Sequence, residues 1–440
     1  MPHRHPRPAS ALLLLLAVPL AQALEAPALF RGDAAHTGVY PAPATPPAGK
    51  LKWRFHTAGA IVASPAVAGD SVYIGSADHA VYALDRATGA QRWKFATHGR
   101  VSSSPAVVGG TVYVGSYDGK VYALDAATGQ QKWVFATEGE RRFAAAHLHG
   151  AEPRDELMPD VFDFFLSSPT VVDDTVYFGS GDRHVYALAA ADGKLRWKVA
   201  TAQVVHASPA VADGLVVVGD WDSTLLALDA ASGAERWRFQ AGRDDKIHNQ
   251  EGFQSSPAIA GGTVFVGCRD SHVYALDLHT GAPRWNYSTG ASWVIASPAV
   301  RDGRVYFATS DTGLFIAVDA QTGKKLYEVD EHHWPMFSSP ALAGGRAYIG
   351  SHSGRLLAID LERHETAWAF ATESSRKTLA SLTKPDGTPF YEAAFTDFFY
   401  DDMVTGTYRM LSVGAMLASP VVAGGTVFVA SMDGDVYAVD

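Results

Sequence analysis

The sequence is short of several features that would indicate particular classes of protein. Among 440 residues it has a single cysteine, Cys268, so no disulfide can form within the chain. No stretch approaches the roughly 20 consecutive apolar residues that a membrane-spanning helix needs. Lys and Arg number 36 against 46 Asp and Glu, which disfavours nucleic acid and anionic lipid as partners because both reward clustered positive charge. Stability must come from buried apolar surface, which 47% hydrophobic residues can supply.

Residues 1–23 have the pattern of a secretory signal peptide. Two arginines precede an apolar run from Ala11 to Leu20, and the Ala-Gln-Ala at 21–23 is typical of a cleavage site. No cysteine follows that site, so we expect no lipid anchor. We expect the mature chain in the periplasm or outside the cell, with residues 24–50 as a lead segment before the folded domain.

A repeat of about 40 residues fills the rest of the chain. Within "SSPAVVGGTVYVGSYDGKVYALDAATGQQKWVF", Ser103 to Phe135, the runs Thr111 to Gly115 and Lys120 to Leu124 alternate with period two and are rich in Val and Tyr, which predicts strands. Each copy therefore predicts a four-stranded antiparallel sheet of the size of a propeller blade. Eight copies begin with a Ser-Pro pair, at Pro65, Pro105, Pro169, Pro209, Pro257, Pro298, Pro340 and Pro420.

The two ends of the chain complement each other. The last copy stops at Asp440, before the aromatic strand that ends the other seven, and "GKLKWRF", Gly49 to Phe55, supplies that strand. The sequence thus predicts an all-β, eight-bladed β-propeller over residues 51–440, closed where Trp53 completes the C-terminal blade. We interpret the repeated aromatic residues as packing between blades, at Trp93, Trp133, Trp197, Trp237, Trp285, Tyr327 and Trp368. We interpret the Asp of the Ser-x-Asp turns as turn residues, at Asp78, Asp118, Asp182, Asp222, Asp270, Asp311 and Asp433.

Two stretches carry a family resemblance. "VYVGSYDGKVYALDAATGQQKWVF" and the opening "FRGDAAHTG", Phe30 to Gly38, resemble the pyrroloquinoline-quinone-type (PQQ-like) β-propeller repeat. That quinoprotein-like and WD40-like superfamily includes quinoprotein dehydrogenases and the non-enzymatic BamB-like factors, which scaffold outer-membrane barrel assembly. The resemblance implies the fold and leaves both functions open.

The sequence departs from both groups of relatives. Quinoprotein alcohol dehydrogenases that resemble this repeat hold their cofactor against adjacent cysteines, and some carry haem through Cys-x-x-Cys-His. A chain with Cys268 alone has neither motif, so we expect no PQQ, haem or other cofactor. BamB-like factors are typically compact lipoproteins, whereas this chain lacks the lipid-acceptor cysteine and has long insertions.

Three insertions interrupt the repeat, at about 138–165, 242–253 and 373–416. All three enter one face of the predicted disc, because the loops before the Ser-Pro strands lie at the same end of a propeller. Unique Trp, His, Arg, Asn and Gln residues at this funnel face are of the types that bind a polar small molecule or a peptide. The other interpretation is that they only satisfy one another. The predicted binding residues are Arg141, His206, Trp221, His248, Asn249, Gln250, Gln254, Arg269, Trp293 and Trp334.

No motif in the sequence indicates catalysis. Gly-x-Ser-x-Gly, His-Glu-x-x-His and a phosphate-binding glycine loop are all missing. We predict no metal site, because no cysteine or carboxylate with a ligand spacing accompanies the short His pairs. We favour an exported, non-catalytic binding scaffold whose partner is an envelope protein or a polar small molecule. The alternative is a periplasmic enzyme or small-molecule receptor. A scaffold for a protein partner predicts a broad, partly apolar patch extended by the insertions, whereas an enzyme or receptor predicts a deep pocket capped by them.

Overall fold

The structure is a computed structural model that describes residue 1 and residues 27–148, 150–243, 248–397 and 399–440, without the side chain of Asn249. The predicted signal peptide lies outside the described residues. Eight four-stranded antiparallel sheets are arranged in a ring, with the first strand of each sheet contacting the first strand of the next. The predicted all-β, eight-bladed propeller is therefore confirmed. In the described part of the chain, no helix is long and apolar enough to cross a membrane.

The strands of the first four blades follow in order from the axis outward. Blade one contains Ala66–Ala68, Ser71–Ser76, Ala80–Asp85 and Gln91–Ala96. Blade two contains Ala106–Val108, Thr111–Ser116, Lys120–Asp125 and Gln131–Ala136. Blade three contains Thr170–Val172, Thr175–Ser180, His184–Ala189 and Leu195–Ala200. Blade four contains Ala210–Ala212, Leu215–Gly219, Thr224–Asp229 and Glu235–Gln240.

The other four blades repeat this order. Blade five contains Ala258–Ala260, Thr263–Gly267, His272–Asp277 and Pro283–Ser288. Blade six contains Ala299–Arg301, Arg304–Ala308, Leu314–Asp319 and Lys325–Asp330. Blade seven contains Ala341–Ala343, Arg346–Gly350, Arg355–Asp360 and Glu365–Ala371. Blade eight contains Val421–Ala423, Thr426–Ala430, Asp435–Val439 and, as its outer strand, Leu51–His56, which pairs antiparallel with Asp435–Val439.

The serine of each Ser-Pro pair forms a ring of hydrogen bonds around the axis. The backbone N–H of each serine donates to the hydroxyl oxygen of the equivalent serine in the next blade, at 2.8–3.1 Å. The last bond runs from Ser419 in blade eight to Ser64 in blade one, so the circle is closed. Proline follows each serine and has no N–H of its own, which leaves the serine N–H as the donor at this level. The eight serines are Ser64, Ser104, Ser168, Ser208, Ser256, Ser297, Ser339 and Ser419.

The lead segment closes one end of the central channel. Residues 28–40 run under the inner strands and accept or donate backbone hydrogen bonds to blades two, four, five, six and seven. Blade three is contacted through a side chain, because the His36 Nε2 lies 3.1 Å from the Thr170 hydroxyl. The Arg31 guanidinium is buried here and donates to the carbonyls of Ser297 and Pro298. The "FRGDAAHTG" stretch is thus a plug, and an enclosed space of about 40 Å³ remains between it and the insertions.

The repeated aromatic residues join neighbouring blades in the way the sequence predicts. Each indole lies against a glycine of positive φ, where a Cβ would come within 2.6–3.0 Å of the ring. Each indole Nε1 also donates to a backbone carbonyl at 2.8–3.0 Å. The interface between blades six and seven differs, because Tyr327 replaces Trp and His364 replaces Gly. The two rings stack there with centroids 3.7 Å apart, so the smaller phenol makes room for the imidazole.

The third insertion, at about residues 373–416, is largely helical. It contains α1 (Glu373–Thr378), a 3₁₀ turn (Leu379–Leu382), α2 (Tyr391–Ala394) and α3 (Tyr400–Leu411). The residues of α3 that face the protein are Met403, Thr407, Met410 and Leu411, at the i, i+4, i+7, i+8 spacing of an amphipathic helix. The rest of the chain alternates with the period of two that is typical of strands, so this short helical period does not stand out in the sequence. A 3₁₀ turn, His248–Gln250, occupies the second insertion.

We predict that removing one hydroxyl from the serine ring costs stability. Ser104→Ala leaves the buried N–H of Ser64 without its acceptor, so we expect the free energy of unfolding to fall by about 1–3 kcal/mol. The measurement is urea unfolding followed by tryptophan fluorescence. The matched control is Ser103→Ala, since the neighbouring Ser103 is equally buried but its hydroxyl has no partner in the described part of the chain. Equal losses in both variants would contradict the structural role of the ring.

We also predict that residues 327 and 364 are energetically coupled. Tyr327→Trp alone should destabilise the protein, because the indole would collide with the imidazole of His364. The double variant Tyr327→Trp/His364→Gly should recover that loss, since it restores the pair found at the other seven interfaces. A double-mutant cycle of unfolding free energies should give a favourable coupling of about 0.5–3 kcal/mol. Additive effects of the two substitutions would show that the stacking has no energetic consequence.

Candidate functional site

The first and third insertions meet over the end of the channel opposite the plug. The first forms a small hairpin in which Ala144–Ala145 pairs with Met158–Pro159. The N–H of Tyr400 donates to the carbonyl of Glu152 at 3.1 Å, and its hydroxyl donates to the carbonyl of Pro159 at 2.8 Å. Helix α3 is thereby tied to the first insertion, and the two insertions form one cover.

A cavity of about 490 Å³ lies under this cover, beside blades five to seven. Its volume is within the range of about 300–1,000 Å³ that is usual for small-molecule sites. Most of its wall is apolar, because aromatic side chains of both insertions and the inner face of α3 turn towards it. The lining residues are Phe162, Phe164, Gln250, Ala291, Trp293, Asp311, Pro335, Phe337, His352, Tyr391, Phe395, Met403, Thr407, Met410 and Leu411.

Two of the polar groups in this wall are buried without a partner. The Nε2 of His352 and the Oγ1 of Thr407 have no hydrogen bond in the part of the chain that the structure describes, although their residues are only 7% and 4% exposed. Burial lowers the pKa of His352 to about 3, so its imidazole is neutral at physiological pH. Buried polar groups nearly always find partners, which makes these two atoms candidates for contacts to a bound molecule.

Asp311 is the acidic residue of the cavity. In blades one, two, three and five, the aspartate of this turn accepts a hydrogen bond from a tyrosine hydroxyl four residues later, as Asp118 does from Tyr122 at 2.6 Å. In blade six that tyrosine is replaced by Phe315. Asp311 is thus a turn residue, as predicted, but its carboxylate lacks the tyrosine partner. It also lines the cavity, a role that could not be seen in the sequence because the same aspartate recurs in other blades.

A buried arginine is clamped beside the cavity. The Arg269 guanidinium lies between the rings of Trp221 and Trp293, 4.8 and 4.1 Å from their centroids, and donates to Asp160 at 2.9 Å. Trp221 stacks in turn on Phe143 of the first insertion, with ring centroids 4.7 Å apart. Cation–π contacts and a buried ion pair together hold the insertion on blade five. Arg269 and Trp221 are therefore built into the fold and do not face the large cavity.

A second buried ion cluster joins the first insertion to blade four. The Nδ1 of His206 lies 2.7 Å from Asp163, and its Nε2 lies 3.0 Å from Glu140. Burial by itself lowers the pKa of His206, but the charges and hydrogen bonds of the two carboxylates outweigh it and raise the pKa to about 10. The imidazolium is thus permanently charged and has both nitrogens occupied at neutral pH.

The other predicted residues are divided between the cavity and the packing around it. Gln250 and Trp293 line the cavity. His248 pairs with Glu251 at 2.7 Å. The Gln254 side chain faces the narrow channel and donates to the carbonyl of Phe162 at 2.6 Å.

Three predicted residues remain. Trp334 is buried against α3 and donates to the carbonyl of Gly387 at 3.1 Å, so it supports the cover from below. Arg141 is exposed and lies outside the cavity wall. The side chain of Asn249 lies outside the described residues. The candidate set is therefore not a single site, because its charged members are mostly used to attach the insertions.

The structure differs from the expected polar pocket in the nature of its wall. Phe162 and Phe164 of the first insertion and Phe395 of the third line the cavity, so its wall is mainly apolar. The signal that could have located them is the aromatic content of two insertions that share one face. Phe337 and His352, which come from blade loops, could be found only from the three-dimensional arrangement.

The fold and its repeats define a PQQ-like β-propeller. A sequence profile for the family described as outer membrane protein assembly factor BamB matches residues 43–155, 150–292 and 222–440. Because these matches cover most of the chain, the protein belongs to that family.

Similar structures include a BamB protein and dehydrogenases. BamB from Moraxella catarrhalis is 16% identical, with a TM-score of 0.62 over 88% of this chain and 96% of that one. Quinohemoprotein alcohol dehydrogenase from Comamonas testosteroni is 15% identical, with a TM-score of 0.67 over 93% of this chain and 79% of that one. A 57-residue segment is 39% identical to the lanthanide-dependent methanol dehydrogenase of Methylacidiphilum fumariolicum (strain SolV), but spans only 13% of this chain and 9% of that enzyme. At these identities the structural likeness shows the fold alone.

The residues of the cavity do not fit the quinone cofactor of the dehydrogenases. PQQ carries several carboxylates, and such groups are recognised by arginine or lysine. Among the described residues of the wall there is no Lys or Arg, and the carboxylate of Asp311 would repel the cofactor. Arg269, the nearby cation, is paired with Asp160. For metals, the described residues contain no group of three His, Cys, Asp or Glu side chains that could hold an ion.

We predict that His206 stabilises the protein in a pH-dependent way. His206→Gln leaves two buried carboxylates without their cation, so we expect the free energy of unfolding at pH 6 to fall by about 3–5 kcal/mol. The folded-state pKa of His206, about 10, lies above the unfolded value of about 6.5, so this contribution is complete below pH 6.5. It is lost as the pH rises towards 10, and the gap between the two proteins should narrow accordingly.

Urea unfolding at several pH values between 6 and 10 checks this expectation. The control is His279→Gln, in an exposed turn, which should change stability at pH 6 by no more than about 0.5 kcal/mol. A gap for His206→Gln that stays constant or widens above pH 6.5 would show that the buried imidazole is not charged.

Proposed function

We propose that this protein is a non-catalytic binding propeller that takes up a small, mainly apolar molecule in the cavity between its two large insertions. The observation that carries the proposal is a wall in which apolar groups surround two buried polar atoms, the Nε2 of His352 and the Oγ1 of Thr407, that lack partners. An enclosed apolar pocket with a few convergent polar groups is the usual form of a ligand site. The enclosure by both insertions supports a receptor-like use more than a flat docking patch.

The charged groups nearby support a binding role over catalysis. His206 has both ring nitrogens engaged, and the guanidinium of Arg269 is neutralised by Asp160. A general acid or base has to exchange a proton with a substrate, and a group locked between buried partners is poorly suited to that. We also propose that the chain is exported, a proposal supported by the signal-peptide pattern of residues 1–23.

A protein partner is the second candidate, and a specific observation favours it. The insertions have large apolar side chains that are exposed to solvent and do not line the cavity, namely Leu157, Phe390, Phe399 and Tyr408. Contiguous exposed apolar groups are typical of interaction surfaces. The family description, an assembly factor for outer membrane proteins, supports a partner from the cell envelope.

We predict that the cavity binds the uncharged fluorophore N-phenyl-1-naphthylamine, with an increase in its emission. Thr407→Trp places an indole in the cavity and should weaken this binding by about tenfold or more, because a filled site cannot bury the probe. The matched control is Tyr408→Trp, the next residue of α3, whose side chain is 41% exposed. It should bind the probe as the unmodified protein does.

A second blocking variant keeps the test interpretable if Thr407→Trp does not fold. Ala291 lies exposed at the cavity wall, so Ala291→Trp should block the probe without crowding the core. The melting temperatures of all variants are measured alongside. Unchanged probe binding in both blocking variants would mean that this cavity is not the site.

A further inference from the structure

The cavity wall has an uneven charge. Of its described residues, Asp311, His352 and Tyr391 are ionisable, and none is Lys or Arg. Burial keeps the imidazole of His352 neutral and raises the pKa of Tyr391, so neither carries charge at neutral pH. The carboxylate of Asp311 is therefore the charged group of this wall.

The carboxylate of Asp311 forms no direct ion pair among the described residues, although the positive charge of Arg269 acts on it from a greater distance and favours its charged form. Its hydrogen bond in the described structure comes from the hydroxyl of Ser310, at 3.2 Å, and no Lys, Arg or His of the described residues lies within ion-pair distance. Phe315 stands where other blades have the tyrosine that donates to this aspartate. The nearby Arg269 forms its ion pair with Asp160, through Nη1 at 2.9 Å, while its Nε and Nη2 have no hydrogen-bond partner among the described residues.

Asp311 lines the cavity and is an exposed residue, so its carboxylate is accessible to a ligand that enters from solvent. Desolvation by the surrounding protein atoms raises its pKa. A cationic group in the cavity would gain both an ion pair and a charge-assisted hydrogen bond. In four other blades a tyrosine hydroxyl donates to the equivalent aspartate, whereas blade six has Phe315 at that position.

The aromatic wall suits the same kind of group. Phe162, Phe337, Tyr391 and Phe395 surround the cavity together with Trp293, whose ring already contacts the guanidinium of Arg269. The faces of aromatic rings carry partial negative charge and attract ammonium groups within about 6 Å. Their apolar edges and the methionines of α3 accommodate a hydrocarbon body.

We propose that the cavity binds an organic amine, with its ammonium group paired to Asp311 and its apolar body packed among the aromatic and methionine side chains. This rests on the proposed function, because it names the ligand class of the same site. The neutral Nε2 of His352 and the hydroxyl of Thr407 provide hydrogen bonds to a further polar group of the ligand. Fatty acids and other apolar carboxylates are disfavoured, since they would place like charges together.

The test uses three compounds of equal size that differ only in their end group, 4-phenylbutylamine, 4-phenylbutanol and 4-phenylbutyrate. Their dissociation constants for the full chain are measured at pH 7 by displacement of N-phenyl-1-naphthylamine and by calorimetry. We expect the amine to bind about ten- to a hundredfold more tightly than the alcohol, and the carboxylate most weakly. Asp311→Asn should bring the amine to the level of the alcohol while leaving the affinity for the alcohol unchanged.

Controls separate this inference from the proposal on which it rests. Asp302→Asn removes an exposed carboxylate from another turn of blade six and should leave the preference for the amine intact. Binding of the fluorophore and the alcohol without any preference for the amine would overturn the ligand class and leave the binding function standing. The same holds if the preference survives in Asp311→Asn. Failure of the fluorophore and all three compounds to bind would overturn both.

Discussion

The closed circle of eight serine hydrogen bonds is the constraint on which the rest of the structure depends. Each inner strand has a free edge towards the channel, and a buried N–H on that edge needs an acceptor. The serine hydroxyl of the next blade supplies it, so every blade is held to its neighbour at the same height. The glycine–indole contacts hold the same interfaces near the periphery. The serine bonds are present at all eight interfaces and the glycine–indole contacts at seven, so the blades are held together both near the axis and near the periphery.

The ring of blades leaves the central channel open at both ends, and the chain closes each end in a different way. At one end residues 28–40 form backbone hydrogen bonds with the inner strands, a regular solution that needs few special side chains. At the other end two buried ion clusters, around His206 and around Arg269, attach the first insertion to the blades, and Tyr400 of the third insertion bonds to the first. Burying charge is costly unless it is paired, and both clusters pair every cation with at least one carboxylate. The pairing holds the cover in one position and so gives the cavity a defined shape.

Much of the fold could be predicted from the sequence, but little of the site. The period of the repeat, the alternation within it and the incomplete last copy led to eight blades. The aromatic positions were correctly interpreted as packing. The site was harder to predict because its residues occur only once. Arg269 and Trp221 were candidates for ligand contacts but form a buried clamp, and the helices of the third insertion follow no repeat. Asp311 was hidden, because its position in the repeat is shared with six other aspartates.

The sequence by itself determined the architecture, because a propeller is built from contacts that recur at the same place in every copy. Serine, glycine and tryptophan at fixed positions specify the ring. Each serine bonds to the equivalent serine of the next blade, and each of these tryptophans packs on a glycine of the next blade. The cavity depends on contacts between segments far apart in the chain, such as Phe162, His352 and Thr407, that meet once. The periodicity of the sequence gives no information about contacts that occur only once. Only the tertiary structure decided which side chains face the cavity, because that depends on how the two insertions pack against each other over the ring.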